Sequence, residues 1–522
     1  MANEDTAEFE KKLIVRNTRY EDIEGIIKMN QLGFGNPEIA FKREHFESQL
    51  SIFPEGQVCI EYEGEIIGSC SSIIVNFDDY GVNHTFSQIA DDGFIRNHNP
   101  NGENLYGIEV VVHPDYRHMK IGRRLYEARR EICRKFNLKS ILFGGRIPNY
   151  HNYANRLTAE QYVEQVIKRN LYDPVLTFQL MNDFELIKVM PNYLAKDEAS
   201  LEYATLMEWK NPEYIADTNQ RYQKSLPVRI TAVQYNINPI SSFEEFAAQC
   251  EYYVNASSKI RSDIIVFPEA FTMQLQSYLN EKVPSKQVRQ LTSHLDEYKE
   301  LFSDLAIRYS INIVAGSNFV QKDDSLYHAA FLFHRNGKVD KQYKLHISPY
   351  EKKWWGIHPG NELNVFDTDC GKISILLGYD VLFPEAARMA VDRGADILVT
   401  PFTAPDKQES LRMKHCAQAR AIENQVFVVT AGSTGNLTQV HHMNSQNAQS
   451  GIYSPIDYDL SENGVVSECD PNVETMVVGK VDLELLRRNR LNGTVTPLHD
   501  RRSDLYQIKT EEAVAKEITV KS

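Results

Sequence analysis

The stretch KISILLGYDVLFPEAAR (372–388) joins an apolar run, KISILL, to a turn that begins at Gly378. The segment SDIIVFPEAF (262–271) has a similar form, because its apolar run ends in Pro268 and Glu269. Such runs read as strands. Sites in α/β proteins usually form at the carboxyl ends of strands, so the side chains that follow these runs are candidates for function.

Strands and helices alternate along the chain on both sides of a polar segment at 208–227. After that segment the predicted order is strand, helix, strand, helix, strand, in RITAVQY (229–235), FEEFAAQCEYYV (243–254), SDIIVFPE (262–269), QLTSHLDEYKELFSDLAIRYS (290–310) and NIVAGS (312–317). Before it, strands are predicted within 13–17, 57–77, 107–113 and 139–147, and helices within 20–30 and 123–136. Both halves are therefore predicted to be mixed α and β.

A chain of 522 residues is too long for one hydrophobic core and suggests more than one domain. The polar segment 208–227 contains two prolines, and we place a boundary near Ser225 within it. The predicted domains are 12–215 and 227–508. Residues 1–11 and the charged tail after Tyr506 read as frayed ends.

Composition excludes several classes of protein. The formal charge of −14 argues against a nucleic-acid-binding protein, which needs a basic face. No apolar run approaches the roughly 20 residues that cross a bilayer, and the acidic N-terminus has no secretory signal. The 7 cysteines form no CxxC pair, so neither a disulfide framework nor a metal site is indicated. We expect a cytoplasmic protein with reduced cysteines that binds neither membrane nor nucleic acid.

In the first half, YGIEVVVHPDYRHMKIGRRLYEARREI (106–132) joins a strand, a short basic loop and a helix. Backbone N–H groups of such a loop, together with the helix dipole, make an anion site. Local positive charge comes from Arg117, Lys120, Arg123 and Arg124. The alternative is a plain strand-to-helix turn with a basic surface.

This arrangement resembles motif A of the GCN5-related N-acetyltransferases (GNAT), whose Arg/Gln-x-x-Gly-x-Gly/Ala loop holds the pyrophosphate of acetyl-CoA. Lys120 replaces the first glycine here, where it could add charge or crowd the loop. The resemblance implies acetyl-CoA as co-substrate and a binding set of Val111, Val112, Arg117, Lys120, Ile121, Gly122 and Arg123. Segment 144–194 resembles an extended branch of that family and is expected to shape the acceptor pocket.

Acetyl transfer needs a group that takes a proton from the amine and an acid for the departing thiolate. Glu109 lies on the strand that would flank the acetyl group, as a glutamate does in some GNAT members. Its alternative, an ordinary strand carboxylate, is about equally favoured. Tyr150 and Tyr153 are weaker candidates for the acid, because the chain contains 27 tyrosines.

Amide or nitrile cleavage by a thiol needs a nucleophile, a carboxylate to take its proton and a cation for the oxyanion. Glu269 is the candidate carboxylate. Lys344, after the strand AAFLFHRNGKVDKQYK (329–344), is the candidate cation. Each alone is a weak signal, because glutamate and lysine are common at strand ends.

Glu269 and Lys344, in this order, resemble the pattern of the nitrilase superfamily of carbon–nitrogen hydrolases. Three later segments add to the resemblance: RGADILVTPF (393–402), KHCAQARAIENQVFVVTAG (414–432) and PLHDRRSDLY (497–506). The resemblance covers about Val228 to Tyr506. It implies a four-layer αββα sandwich that pairs into homo-oligomers, with ARAIEN (419–424) at the start of a helix. It also assigns Glu351 to positioning substrate and lysine; a surface salt bridge to Lys352 or Lys353 is the alternative.

The family's cysteine nucleophile belongs in Cys-Tyr-Asp-x-x-Phe-Pro-Glu, and this chain has Gly378 at that place. Glycine has no side chain and forms no thioester, although it relieves the strain of such a turn. Cys370 and Cys416 are too poorly placed to substitute. Three accounts stay open: a naturally inactive domain that binds a ligand or partner, a variant of an active protein, or slow hydrolysis by water that Glu269 activates.

The sequence thus predicts an acetyl-CoA-dependent N-acetyltransferase fused to a carbon–nitrogen hydrolase domain with impaired chemistry. The substrates would be a small amine and a small amide or nitrile, neither of which the sequence specifies. The alternative is a regulatory or ligand-binding protein that uses its hydrolase-like domain as a small-amide sensor or assembly platform.

Overall fold

The computed structural model describes residues 13–34, 40–214, 227–279, 281–458, 460–506 and 508. Contacts between residues divide them into two compact units, one up to residue 214 and one from residue 227. The predicted boundary near Ser225 lies outside the described residues, as do residues 1–11, the limits 12 and 215, and most of the predicted tail. In the described part of the chain, no helix has both the length and the apolar character needed to cross a membrane.

The N-terminal unit contains seven strands and six helices among the described residues. The strands are β1 Leu13–Asn17, β2 Gln57–Tyr62, β3 Glu65–Val75, β4 Asn104–Val112, β5 Ser140–Arg146, β6 Glu185–Met190 and β7 Ala204–Lys210. The helices are α1 Ile23–Phe34, α2 Arg43–Ile52, α3 Phe86–Ala90, α4 Ile121–Lys135, α5 Ala159–Ile167 and α6 Pro174–Met181.

The strands form one sheet in the order β1-β2-β3-β4-β5-β7-β6. All neighbouring pairs are antiparallel except β4 and β5, which are parallel. Those two strands pair only from Asn104 to Tyr106 on β4, although β4 continues to Val112 and β5 to Arg146. The sheet therefore opens into a fork between β4 and β5. Pro114 follows β4 and begins the short 3-10 helix Pro114–Met119 that leads into α4.

The C-terminal unit contains thirteen strands and seven helices among the described residues. The strands are β8 Pro227–Ile237, β9 Ile264–Val266, β10 Asn312–Lys322, β11 Ser325–Phe333, β12 Val339–Tyr343, β13 Ile357–His358, β14 Phe366–Thr368, β15 Gly371–Ile375, β16 Ile397–Phe402, β17 Phe427–Gly435, β18 Gly451–Tyr453, β19 Val465–Glu468 and β20 Thr475–Asp482. The helices are α7 Phe243–Lys259, α8 Gln276–Leu279, α9 Pro284–Gln290, α10 Leu295–Tyr309, α11 Pro384–Asp392, α12 Lys407–Asn424 and α13 Leu483–Asn492.

Nine of these strands follow one hydrogen-bonded path, β12-β11-β10-β9-β8-β17-β16-β15-β14, that folds where β8 meets β17. The other four, β13, β18, β19 and β20, pair beside this path. Only the last residues of β8 and β17 pair with each other, so the path divides into two facing sheets. The apolar side chains form three cores. One lies between the sheets, and the other two lie between each sheet and its helices.

Alternation along single strands explains this layering. On β16, Ile397 and Val399 face the core between the sheets, whereas Leu398 packs toward the helices. Because both faces are covered, these strands are apolar throughout. The predicted αββα sandwich is confirmed, and so is the mixed α and β character of both halves.

Two local predictions were wrong. The segment 329–344 is a hairpin, β11 and β12, rather than one strand, because Asn336 and Gly337 form its turn and Gly337 has φ +95°. Residues 419–424 end α12 rather than begin a helix, since Asp406 caps that helix at its amino end. The helix periodicity was visible in the sequence, but its capping aspartate was not recognised.

Candidate active sites

Three predicted residues of the C-terminal unit come together in its interior. Glu269 follows β9, Lys344 follows β12, and Glu351 begins the π-helical turn Glu351–Trp355. The Lys344 Nζ donates to Glu269 Oε1 and to Glu351 Oε1, each at 2.7 Å. All three are buried, with exposed fractions of 3%, 3% and 4% for Glu269, Lys344 and Glu351. The proposed surface salt bridge of Glu351 to Lys352 or Lys353 is therefore wrong.

The charges of this cluster stabilise one another. Burial by itself lowers the pKa of Lys344, but the two carboxylates together hold it above its usual value. Burial raises the pKa of Glu351, but the charge of Lys344 and a hydrogen bond from His328 outweigh it, so the pKa lies well below its usual range. Lys344 is consequently a charged ammonium at neutral pH, hydrogen-bonded to the carboxyl groups of Glu269 and Glu351.

His328 on β11 completes the cluster and was missed from the sequence. Its Nδ1 lies 3.1 Å from Glu351 Oε1 and 3.8 Å from Glu269 Oε1. Its Nε2 lies 2.7 Å from Ser317 Oγ, which also accepts from the Ala270 N–H at 2.8 Å. Because the Glu351 carboxylate only accepts, the His328 Nδ1–H donates to it. A single histidine in a strand gives no sequence signal for this role.

Thr403 and Asp380 fix the surrounding backbone. The Thr403 N–H donates to Glu269 Oε2 at 3.1 Å, which holds the carboxylate from the side opposite Lys344. Asp380 accepts from the backbone N–H groups of Leu345, His346 and Leu377. Since Asp380 lies in the turn that Gly378 begins, its carboxylate ties that turn to the segment that follows Lys344.

Gly378 has a φ of +42°, in the left-handed region that favours glycine. A β-carbon added there would lie 2.3 Å from Glu269 Oε2. The Glu269 carboxylate thus fills the space that a larger residue at 378 would use. The structure places Gly378 beside the Glu269 carboxylate, which bonds Lys344.

Among the described residues, Glu269, His328 and Glu351 offer potential metal ligands within 4.8 Å of one another. The Lys344 ammonium already lies in hydrogen-bond contact with both carboxylates, and it supplies the positive charge that a cation would bring. The expectation that neither half uses a metal stays a prediction.

An aromatic group borders the cluster on the side of the π-helical turn. The rings of Tyr350 and His442 stack with centroids 3.7 Å apart, and Trp355 lies edge-on to both. Burial lowers the pKa of His442 to about 4, so its imidazole is neutral at physiological pH. These rings form an apolar, uncharged wall beside Glu351.

In the N-terminal unit, the basic loop is followed by a helix without a side-chain cap. Lys120 is the N-cap residue of α4, with φ 58° and ψ 23°, and its side chain makes no capping hydrogen bond. The first N–H groups of a helix have no acceptor within it and favour anions. Arg117 is exposed and Lys120 half-buried, whereas Arg124 is buried and contributes less to the surface than predicted.

The remaining predicted cofactor residues lie around the fork. Val111 is buried in a core with α1, and Val112 is half-buried at the end of β4. Ile121 is buried in the first turn of α4, where Arg123 is half-buried. A β-carbon at Gly122 would lie 2.8 Å from the Phe178 ring, so the packing of α6 against α4 requires a small residue there.

Glu109 lies on β4 and is only 7% exposed. The Asn30 Nδ2 donates to its Oε1 at 2.8 Å, while its Oε2 has no hydrogen-bond partner among the described residues. Burial raises the pKa of Glu109 to about 8, against the lowering effects of Asn30 and of the Arg129 charge. Tyr150 and Tyr153 are the candidates for the acid. The Tyr150 hydroxyl donates to the Leu157 carbonyl at 3.3 Å, and Tyr153 is half-buried.

Comparisons with known proteins agree with this division. A carbon–nitrogen hydrolase profile matches residues 229–490, and a profile of the GNAT acetyltransferase family matches residues 26–157. The chain is 55% identical over 506 residues to the probable hydrolase YhcX of Bacillus subtilis, covering 97% of this chain and 98% of that protein. The chain belongs to the carbon–nitrogen hydrolase family and carries an N-terminal GNAT domain.

Single-domain relatives match each half separately. The acetyltransferase domain is similar to the uncharacterized N-acetyltransferase YkwB of Bacillus subtilis, at 40% identity over 205 residues, 39% of this chain and 90% of that protein. The hydrolase domain is similar to a nitrilase of Pyrococcus abyssi, at 28% identity over 284 residues, 53% of this chain and 99% of that protein. Both predicted family resemblances are confirmed.

The buried carboxyl of the acetyltransferase domain predicts a pH-dependent stability. Between its usual pKa of 4.5 and about 8, folded Glu109 holds a proton that the unfolded chain has released. The stabilisation that this proton gives the folded domain is therefore fully present below pH 4.5. It falls by about 1.4 kcal/mol per pH unit as the pH rises toward about 8. We expect Glu109→Gln to be more stable than the parent at pH 8 and similar at pH 5, as measured by urea unfolding. Equal differences at both pH values would contradict the raised pKa.

Proposed function

We propose that the acetyltransferase domain transfers an acetyl group from acetyl-CoA to a small primary amine. The observation that supports this most is the basic amino end of α4, which the Lys120 side chain does not cap, beside the β4–β5 fork. The residues present fit a phosphorylated co-substrate, because the first N–H groups of α4 and the basic side chains of the preceding loop lie at the same helix end. Its holders would be Val111, Val112, Arg117, Lys120, Ile121, Gly122 and Arg123, within a domain bounded at 12–215.

Glu109 is the base of this proposal. Its carboxylate removes a proton from the acceptor ammonium, and the nitrogen lone pair then forms a bond to the acetyl carbon. The carbon–sulfur bond breaks with its electron pair on sulfur, and the second proton from nitrogen passes to that thiolate. A pKa of about 8 suits this task, since the base is partly ionised and still holds a proton firmly near neutral pH.

Titration calorimetry with acetyl-CoA tests the co-substrate, and Lys120→Gly tests the loop. A lysine with φ 58° stores backbone strain that glycine relieves, so we expect this variant to be about 1 kcal/mol more stable. We expect it to bind acetyl-CoA several-fold more weakly, with a smaller salt dependence, because one positive charge is gone. The absence of any binding by the parent protein would refute the transferase proposal. Tighter binding by Lys120→Gly would mean that the lysine crowds the loop.

For the hydrolase domain, we propose that Gly378 stands at the position of the nucleophile and that hydrolysis is impaired. Lys344 and Glu269 would still polarise an amide or nitrile bound beside the turn, and Glu351 would position the lysine. Attack by water would be slow, because the Glu269 carboxylate is held by Lys344 and Thr403. The domain limits 227–508 are part of the proposal.

A second candidate for this domain is ligand binding without turnover, as a small-amide sensor or an assembly platform. The glycine at position 378 favours it, since Glu269, Lys344 and Glu351 remain joined by hydrogen bonds beside a residue that has no nucleophile. A cytoplasmic location and homo-oligomers through this domain also belong to the proposal. Sedimentation of the purified protein tests for homo-oligomers, and a purely monomeric protein at micromolar concentration would refute that part of the proposal.

A further inference from the structure

We propose that Asn30 is a positioning residue for acetyl transfer, which fixes the Glu109 carboxyl so that Oε2 alone receives the proton of the acceptor amine. This inference rests on the proposed role of Glu109 as base. It adds a residue of α1 that no sequence motif assigns.

The contact between the two side chains is long in sequence and enclosed in space. Asn30 is fully buried on α1, 79 residues before Glu109. Its Nδ2 donates to Oε1 at 2.8 Å, which occupies that oxygen and sets the rotation of the carboxyl. The other oxygen, Oε2, is buried and has no hydrogen-bond partner among the described residues, and the same holds for Asn30 Oδ1.

Glu109 Oε2 and Asn30 Oδ1 are both buried without a partner among the described residues, and an unsatisfied buried polar atom costs free energy. A primary ammonium can donate an N–H to the ionised Oε2. When Glu109 acts, one N–H bond of the ammonium breaks and an O–H bond forms at Oε2. Asn30 Nδ2 meanwhile stabilises the carboxylate form through Oε1.

Two other titratable side chains lie near Glu109, and among the described residues neither of them is hydrogen-bonded to its carboxyl group. Arg129 of α4 approaches from the backbone side, where its Nη2 donates to the Glu109 carbonyl and to the Ser71 carbonyl, each at 2.8 Å. Cys70 on β3 lies nearby, and burial raises the pKa of its thiol, so it is neutral near pH 7. Asn30 is thus the group that bonds the carboxyl itself.

The test is the pH profile of acetyl transfer to a simple primary amine by the full-length protein. The rate rises with pH as Glu109 ionises, so the acidic limb of the pH–rate profile reports the pKa of Glu109. Asn30→Leu removes the donor that stabilises the carboxylate, and we expect the limb to move about one pH unit upward. Asn30→Asp adds a like charge and moves it further.

Asn211→Leu is the matched control. Asn211 is also buried and donates one hydrogen bond, from Nδ2 to the Leu138 carbonyl at 2.8 Å, but it lies after β7. We expect this variant to be less stable than the parent and to leave the acidic limb of the pH–rate profile where it is in the parent. If the limb of Asn30→Leu moves no more than that of the control, the inference is overturned.

A second measurement separates this inference from the proposed function. Infrared titration of the carboxyl band, assigned with Glu109→Gln, reports the pKa of Glu109 without any turnover. An upward shift in Asn30→Leu supports the inference even if no amine is acetylated, and an unchanged pKa overturns it. Full activity of Glu109→Gln would instead remove Glu109 from the mechanism, and with it the functional meaning of Asn30.

Discussion

Replacing Lys344 with methionine is expected to lower the free energy of unfolding of the hydrolase domain by about 3–5 kcal/mol. The methionine keeps most of the volume but leaves Glu269 and Glu351 without the ammonium that lies 2.7 Å from each. Two buried carboxylates then repel each other and have lost their solvent. Urea unfolding, followed by the fluorescence of Trp354 and Trp355 beside the cluster, measures the effect.

The pH dependence of this loss identifies its cause. Because the pKa of Glu351 is held below its usual 4.5, its stabilisation is present above pH 4.5 and is lost as the pH falls below that value. The difference between the parent and Lys344→Met should therefore shrink in acid, where Glu351 takes up a proton. Adding Glu351→Gln to Lys344→Met should recover part of the loss at neutral pH.

Lys338→Met is the control for removing a lysine from this domain. Lys338 pairs with Asp340 at 2.7 Å, but its side chain is 44% exposed. Because solvent reaches the Lys338 ammonium and His334 also bonds the buried Asp340 carboxylate at 2.8 Å, this change should cost about 1 kcal/mol or less. A loss of under 1 kcal/mol in Lys344→Met as well would mean that the buried cluster is not held together by its central charge.

Gly378→Cys is expected to raise the hydrolysis of simple amides by on the order of 10³-fold or more. Loss of a nucleophile costs about 10⁶ in kcat in a well-studied hydrolase, and part of that should return with the thiol. The gain is limited because the new β-carbon meets Glu269 Oε2, so the carboxylate must move away from Thr403. Ammonia release and the mass of a trapped acyl-enzyme measure the result.

Gly378→Ala is the matched variant, because it adds the same β-carbon at the same positive φ without a thiol. It should displace Glu269 and gain no activity. If the parent hydrolyses amides as fast as Gly378→Cys, residue 378 is not the nucleophile position. If Gly378→Cys is alkylated by iodoacetamide but turns over nothing while amides still bind, the sensor function is favoured.

Much of the fold could be predicted from the sequence because its signals are local. The apolar runs at 264–266, 373–375 and 397–399 are strands, and Pro114 and Pro384 mark the turns that follow or precede regular elements. Errors came where local signals compete. The hairpin at Asn336 and Gly337 was merged into one strand, and the end of α12 was taken for its beginning.

The cluster in the hydrolase domain was predicted only in part. Glu269, Lys344, Glu351 and Gly378 carry recognisable neighbours, so motifs identified them. His328 carries none, and its hydrogen bond to Glu351 depends on the register of β11 with β12. That Glu351 is buried rather than paired at the surface follows from packing that residue spacing does not specify.

By itself the sequence determined the two families, the αββα sandwich and the chemical types available at each site, because these depend on residue identity and short-range periodicity. Only the tertiary structure decided that Asn30 bonds Glu109 and that the Glu269 carboxylate fills the space beside Gly378. The first contact joins residues that are 79 positions apart, and the second joins residues that are more than 100 positions apart. They exist because distant strands and helices exclude water around them, and that exclusion sets which polar atoms must pair.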